Sequence, residues 1–230
     1  MFGFIASLFS KYTIVLSKDY FINIKFNNYL ANKIIEIPPY VEEKNIVLSE
    51  NSSDKTRIGF LGRICEEKGL NYLISLSNIL NNKKINHELI IAGDIGDKRF
   101  IKYIHKLKKL SSSNKSIKFI GKLDNNQKEY FYKNIDLFIL PSINSFEAFG
   151  IVQLEAMSYG VPVISSNING VRTIINKTKN GYIFETKNLD DLLNKFLLFK
   201  KNKFSKKRVV DNLFKYYNKT IFKNSIRKLF

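Results

Sequence analysis

Ile135-Asp136-Leu137-Phe138-Ile139-Leu140, then Pro141-Ser142-Ile143-Asn144-Ser145-Phe146, then Glu147-Ala148-Phe149-Gly150-Ile151-Val152-Gln153-Leu154-Glu155-Ala156-Met157, is the stretch that decides the fold. The run Ile135–Leu140 is short and almost wholly apolar, which reads as a strand covered on both faces. A polar loop follows, and the chain then opens a helix near Phe149 that runs to Tyr159. A buried strand delivered through a loop into a helix is one unit of a parallel sheet.

The same alternation extends outward in both directions. Further strands are expected at Ile58–Leu61, Glu88–Ala92, Ile117–Ile120, Val161–Ser165 and Tyr182–Phe184. Helical patterns fill the gaps at Lys68–Asn81, Lys98–Leu110, Asn125–Tyr132 and Val171–Asn176. The fold class is therefore α/β, a Rossmann-like doubly wound parallel sheet, with ligands expected beyond the carboxyl ends of the strands. We assign residues 46–202 to this domain. Residues 1–45 read as the last β-α unit of something larger plus a linker. Their parts are an apolar start at Phe2–Phe9, a strand at Thr13–Leu16 and an amphipathic stretch from Asp19 to Asn32. Pro38-Pro39 breaks that pattern, and Glu42–Lys55 is a polar connection. Residues 203–230 form an amphipathic helical tail.

Composition narrows the class. A 230-residue chain with 44% hydrophobic residues, 19 Phe and 12 Tyr can bury a sizeable core and is no disordered tail. One cysteine, Cys65, cannot form an internal disulfide, so nothing points to an oxidising compartment. No apolar run approaches the roughly 20 residues that span a bilayer. Phe2–Phe9 lacks the flanks of a signal peptide, and a cytoplasmic protein is expected. Thirty-eight Lys and Arg against 20 Asp and Glu give a net charge of +18. Such a field favours anionic partners, including the inner face of a membrane. The basic residues are spread along the chain, and no zinc-finger or RNP-like signature accompanies them, so no specific nucleic-acid partner is expected.

The chemistry concentrates in the quoted stretch. A helix opening at Phe149, Gly150 and Ile151 offers unpaired N–H groups and a positive dipole end to a phosphate. Glu147 precedes this anion site and Glu155 lies eight residues on, about 10 Å at helical rise. A diphosphate with a sugar at each end spans such a distance, and carboxylates accept pairs of sugar hydroxyls. Each has an ordinary alternative: Glu147 as a dipole-favoured helix-start acid, Glu155 as a solvated helix residue. For Glu155 the apolar run Ile151–Met157 weakens that alternative, because a carboxylate there is costly without a partner. Arg63 and Lys68, at the end of Ile58–Leu61, bring positive charge to the same sheet edge, unless they pair with Glu66 and Glu67. Cys65 between them could have its pKa lowered, but neither a histidine nor a second cysteine accompanies it.

Phe60-Leu61-Gly62-Arg63 with Lys68-Gly69 resembles the diphosphate-binding element of family 4 glycosyltransferases. Glu147-Ala148-Phe149-Gly150 through Glu155-Ala156-Met157, then Gly160-Val161-Pro162-Val163, is similar to that family's Glu-x7-Glu signature. Ile91-Ala92-Gly93-Asp94, Phe119-Ile120-Gly121 and Asn180-Gly181-Tyr182 match its lesser landmarks in order. The resemblance covers about residues 57–185. It implies the C-terminal donor-binding half of a GT-B fold, retention at the anomeric carbon, and neither cofactor nor metal. It also implies a UDP- or GDP-sugar as donor, with a lipid-linked or glycan acceptor. By the same resemblance Glu147 sits at the catalytic centre against the sugar. Arg63, Lys68, Phe149, Gly150 and Ile151 hold the diphosphate, Glu155 the ribose, and Ile120, Gly121, Lys122 and Leu123 face the base.

Two departures stand out. Relatives usually carry Glu where this chain has Thr173, which puts the organisation of that loop in question. Relatives carry a whole N-terminal acceptor-binding domain, of which only the last β-α unit is expected within residues 1–45, and His87 and His105 fall in the wrong domain for a cleft histidine. An alternative is therefore a non-catalytic nucleotide-sugar-binding module that needs a partner chain for the missing domain. Gly93-Asp94-Ile95-Gly96 is not a dinucleotide fingerprint, and there is no Walker lysine loop or nucleophile elbow.

Overall fold

The computed structural model describes residues 10–21, 31–44, 54–202, 204–227 and 229. Phe2–Phe9, most of the stretch Asp19–Asn32 and the middle of the connection Glu42–Lys55 lie outside them.

Six parallel strands build the main sheet: β3 (Thr56–Leu61), β4 (His87–Ala92), β5 (Ile117–Gly121), β6 (Leu137–Leu140), β7 (Val163–Ser166) and β8 (Gly181–Phe184). Their order is β5-β4-β3-β6-β7-β8. The chain winds outward from β3 through β4 to β5, crosses back to β6, and winds the other way. The reversal lies between β3 and β6, where Ile58 pairs with Leu89 on one side and Leu137 on the other. A doubly wound sheet opens its crevice at such a switch point. The residue pattern explains the positions: every residue of β6 and β7 is buried, while Lys118 and Ile120 of edge strand β5 reach solvent.

Helices cover both faces: α2 (Leu70–Asn82), α3 (Ile101–Ser111), α4 (Asn125–Lys133), α5 (Val152–Ser158), α6 (Val171–Thr178) and α7 (Leu189–Lys201). Helix α4 carries a capping box, with Asp124 accepting from the Gln127 N–H at 2.8 Å and Gln127 accepting from the Asp124 N–H at 3.0 Å. Helix α7 was not among the expected segments; Asn188 caps it through the Asp191 N–H at 3.0 Å. The tail forms α8 (Lys206–Phe214) and α9 (Lys219–Arg227). Val209, Leu213 and Tyr217 belong to the core that also holds Phe60, Phe138 and Phe196.

Among the element ends that move, two have a local cause. Strand β6 begins at Leu137, because Asp136 is spent on Arg57: its carboxylate accepts the Arg57 N–H and its own N–H donates to the Arg57 carbonyl, both at 2.8 Å. Helix α5 begins at Val152 and not at Phe149, since Gly150 takes a left-handed φ of 75°. The 10 Å helical spacing of Glu147 and Glu155 therefore does not apply, because only its last turn is helical. A further strand stands between the stretch Asp19–Asn32 and Pro38-Pro39, where none was expected: β1 (Thr13–Val15) pairs in parallel with β2 (Ile34–Glu36), and α1 (Lys18–Phe21) follows β1.

Candidate functional site

Lys68 ends a single 3-10 turn, Glu66–Lys68, just beyond β3. Gly69 follows with φ 63°, and a Cβ there would stand 2.1 Å from the Pro141 carbonyl oxygen. Only glycine permits that approach. The Ile143 N–H also donates to the Glu67 carbonyl at 2.9 Å. The loops leaving β3 and β6 are thus locked together across the switch point. Their union brings Lys68 Nζ onto the Glu147 carboxylate, where the Ser142 hydroxyl also donates, at 3.2 Å. The Lys68 and Glu147 side chains are 17% and 14% exposed, so water screens the pair only weakly. The alternative pairing of Lys68 with Glu66 or Glu67 does not form. Arg63 is exposed and makes no ion pair among the described residues; its charge acts on Cys65, Glu67 and Asp97.

Cys65 is buried, and burial, followed by Glu67, pushes its thiol up to about 11, the opposite of the lowering expected between two cations.

Glu155, in the first turn of α5, accepts a 2.8 Å hydrogen bond from the Tyr132 hydroxyl of α4. Burial and then the Glu155 charge hold Tyr132 protonated, so it remains a donor. Tyr132 stacks on Tyr159 at 5.5 Å. The half-buried carboxylate in an apolar run therefore has the partner that its burial requires. Sequence reasoning missed Tyr132, although the aromatic run Tyr130-Phe131-Tyr132 was in view. Helix α4 also links two parts of the expected site, since Ile120, Gly121, Lys122 and Leu123 lead directly into it. Ile120 and Lys122 are exposed, and the Gly93 N–H donates to the Gly121 carbonyl at 2.8 Å.

Between these groups lies the turn Phe149-Gly150-Ile151. The Phe149 side chain is core, packed edge-on to Tyr217 at 6.3 Å, so only its backbone can face a ligand. Gln153 pins the turn, donating to the carbonyls of Phe149 (3.2 Å) and Val171 (3.1 Å). The Gly150 and Ile151 N–H groups find no acceptor among the described residues. A cavity of about 730 Å³ opens on the far side of Glu66 and Glu67, toward Arg99, Phe100 and Phe146; Lys68, Glu147 and Glu155 do not line it.

His87 is buried, its Nε2 2.7 Å from the Ser77 hydroxyl and its Nδ1 2.8 Å from the Ile85 carbonyl, while His105 lies exposed on α3. Among the described residues no three His, Cys, Asp or Glu side chains gather as a metal site. No helix among them is long and apolar enough to cross a membrane.

The order of the landmarks and the placement of Lys68, Glu147 and Glu155 at one switch point set the comparison with known proteins. The model of the glycosyl transferases group 1 family matches residues 41–215. The chain belongs to this family. It is 36% identical over 140 residues to an uncharacterized glycosyltransferase of Methanocaldococcus jannaschii, covering 60% of this chain and 34% of that protein. It is 29% identical over 133 residues to a capsular polysaccharide biosynthesis glycosyltransferase of Staphylococcus aureus, covering 58% and 33%. Among solved structures, HepE of Anabaena in complex with UDP-glucose superposes with a TM-score of 0.72 at 19% identity, over 97% of this chain and 65% of that one. At that identity the likeness concerns the fold, and the sheet is that of the C-terminal half of a GT-B glycosyltransferase. The chain spans about a third of the length of the two curated relatives just named.

Proposed function

We propose that this chain is the donor-holding portion of a retaining glycosyltransferase that moves a hexose from a UDP- or GDP-sugar to a glycan or lipid-linked acceptor. The observation that carries this reading is the ion pair of Lys68 with Glu147 across the β3–β6 switch point. Lys68 releases Glu147 when a diphosphate arrives and neutralises charge on its oxygens, while the Gly150 and Ile151 N–H groups donate to the remaining oxygens. Glu147, freed of the ammonium, takes hydroxyls of the donor hexose, and Glu155, oriented by Tyr132, takes those of the ribose. As the sugar leaves, negative charge grows on the diphosphate, where the fixed donors and Lys68 stabilise it without a metal. Arg63 supplies further positive charge once it swings inward, and Ile120–Leu123 faces the base.

The UDP-glucose held by the Anabaena protein and the capsular role of the Staphylococcus aureus relative support a nucleotide sugar and a cell-surface polysaccharide. We place the protein in the cytoplasm, its net charge of +18 suited to the inner membrane face where lipid-linked acceptors lie. Calorimetric titration with UDP- and GDP-sugars tests the site. Incubation with a radiolabelled donor and lipid-linked oligosaccharide tests transfer; binding without transfer favours a module that works with a partner chain.

A further inference from the structure

Helix α1 touches both loops that flank Glu147. The Asp19 carboxylate accepts from the Gly170 N–H at 2.8 Å, from Arg172 Nε at 3.0 Å and from Arg172 Nη2 at 2.7 Å. The Asn169 side chain donates to the Asp19 carbonyl at 3.0 Å. Ser17 and Thr173 hydroxyls meet at 2.9 Å, so the loop in which relatives usually carry a glutamate is held here by an aspartate from another part of the chain. Burial pushes the Asp19 carboxyl up, yet Arg172 and the Gly170 N–H outweigh it and hold it below the usual carboxylate range.

This grip passes to the site through two contacts. Gly170, at φ 84°, lies so close to Ala148 that a Cβ would stand 2.0 Å from the Ala148 carbonyl oxygen. The Tyr20 hydroxyl donates to the Ser145 carbonyl at 3.2 Å. Ser145 and Ala148 bracket Glu147. Within residues 144–148 the Glu147 N–H reaches the Asn144 carbonyl at 3.3 Å and the Phe146 N–H the Asn144 side chain at 3.1 Å, while Phe146 itself is 82% exposed. A second anchor holds the strap in place, with Glu36 of β2 pairing with Lys177 of α6 at 2.5 Å and accepting the Lys18 N–H at 2.8 Å.

We propose that Asp19 and Tyr20 are positioning residues for Glu147, holding the 145–148 loop from the outside so that its carboxylate meets the donor sugar. The proposal rests on the donor-site reading above. A loop that is competent only part of the time weakens apparent affinity by that fraction, so a tenth of the population gives about tenfold. The effect falls on the sugar-facing end, because Glu155 and Tyr132 are tied to α4 and α5 and not to α1.

The test uses the full chain with Asp19→Asn, Tyr20→Phe and Arg172→Gln. Calorimetry compares UDP-glucose or GDP-mannose, whichever the wild type binds, with UMP or GMP; amide hydrogen exchange follows residues 145–151. Asp19→Asn and Arg172→Gln each weaken nucleotide-sugar binding about tenfold, and Tyr20→Phe about threefold. Mononucleotide binding stays within about twofold. Exchange quickens at 145–149 and not in α5. The Asp19→Asn, Arg172→Gln pair together costs no more than either alone. Equal losses for both ligands with faster exchange everywhere, or no change in either measure, overturns the proposal. A wild type that binds neither ligand contradicts the donor site itself; exchange then decides the clasp, upheld by local quickening at 145–149 and overturned by its absence.

Discussion

Lys68 and Glu147 are 79 positions apart in the chain and form an ion pair across the point where the strand order reverses. Neither loop could hold its charge there alone. Gly69 against Pro141 sets the separation of the loops, and Ser142 shares the carboxylate. Each charge neutralises the other across the two loops, and on the proposed function a donor with a diphosphate and a hexose offers both a better partner.

Glu147→Gln therefore separates the two ends of the donor. The amide keeps the shape but loses the charged acceptor, and hydrogen bonds to charged groups contribute about 1.5–3 kcal/mol. Affinity for the nucleotide sugar falls roughly tenfold to a hundredfold, whereas free UDP or GDP binds within about threefold of wild type. Titration calorimetry with both ligands checks this.

Tyr132→Phe removes the donor that orients Glu155 and leaves the carboxylate without its partner. The expected cost is about 1–2 kcal/mol of stability, read as a lower urea midpoint, with weaker nucleotide binding beside it. Stability unchanged within about 0.3 kcal/mol would mean that water replaces the hydroxyl at no cost.

Gly69→Ala forces a Cβ to within 2.1 Å of the Pro141 carbonyl oxygen at a left-handed φ. The loops must part, and we expect a loss of more than about 2 kcal/mol together with loss of donor binding. Gly96→Ala is the control, since its Cβ would meet only Asp94 Oδ1, at 3.5 Å, and the expected change is below about 1 kcal/mol. Chemical denaturation of both variants measures the difference.

His87 gives the domain a pH dependence. Burial, helped by Lys55 and opposed by the Ile85 carbonyl, holds its pKa below the usual value, so the folded state resists the proton. The unfolded chain takes that proton below about pH 6.5, and stability falls as pH drops from there toward the folded pKa. His87→Asn flattens this part of the profile in thermal melts between about pH 7.5 and 5.

Much of this was legible in the sequence because each strand is a short apolar run with its own period. All six strands of the main sheet and five of its helices were expected where they occur, with ends off by a few residues. Boundaries moved where a side chain or a glycine took over the backbone, as Asp136 does before β6 and Gly150 before α5. The strand order was not legible, because pairing across a parallel sheet depends on crossovers; the sequence placed Lys68 and Glu147 at the carboxyl edge of the sheet, and the order β5-β4-β3-β6-β7-β8 is what sets them side by side. Tyr132, Ser142 and Asp19 were not legible, because each depends on a partner 5 to 154 residues away in a loop of unknown path.

The central claim is that the β3–β6 crevice holds a nucleotide sugar through Lys68 and Glu147. Isothermal titration of the full chain with UDP-glucose and GDP-mannose tests it most directly, with Lys68→Ala and Glu147→Ala in parallel. The account predicts saturable binding of at least one donor by the wild type, weakened about tenfold or more by each substitution. No binding of either donor, or binding that both substitutions leave unchanged, would contradict it.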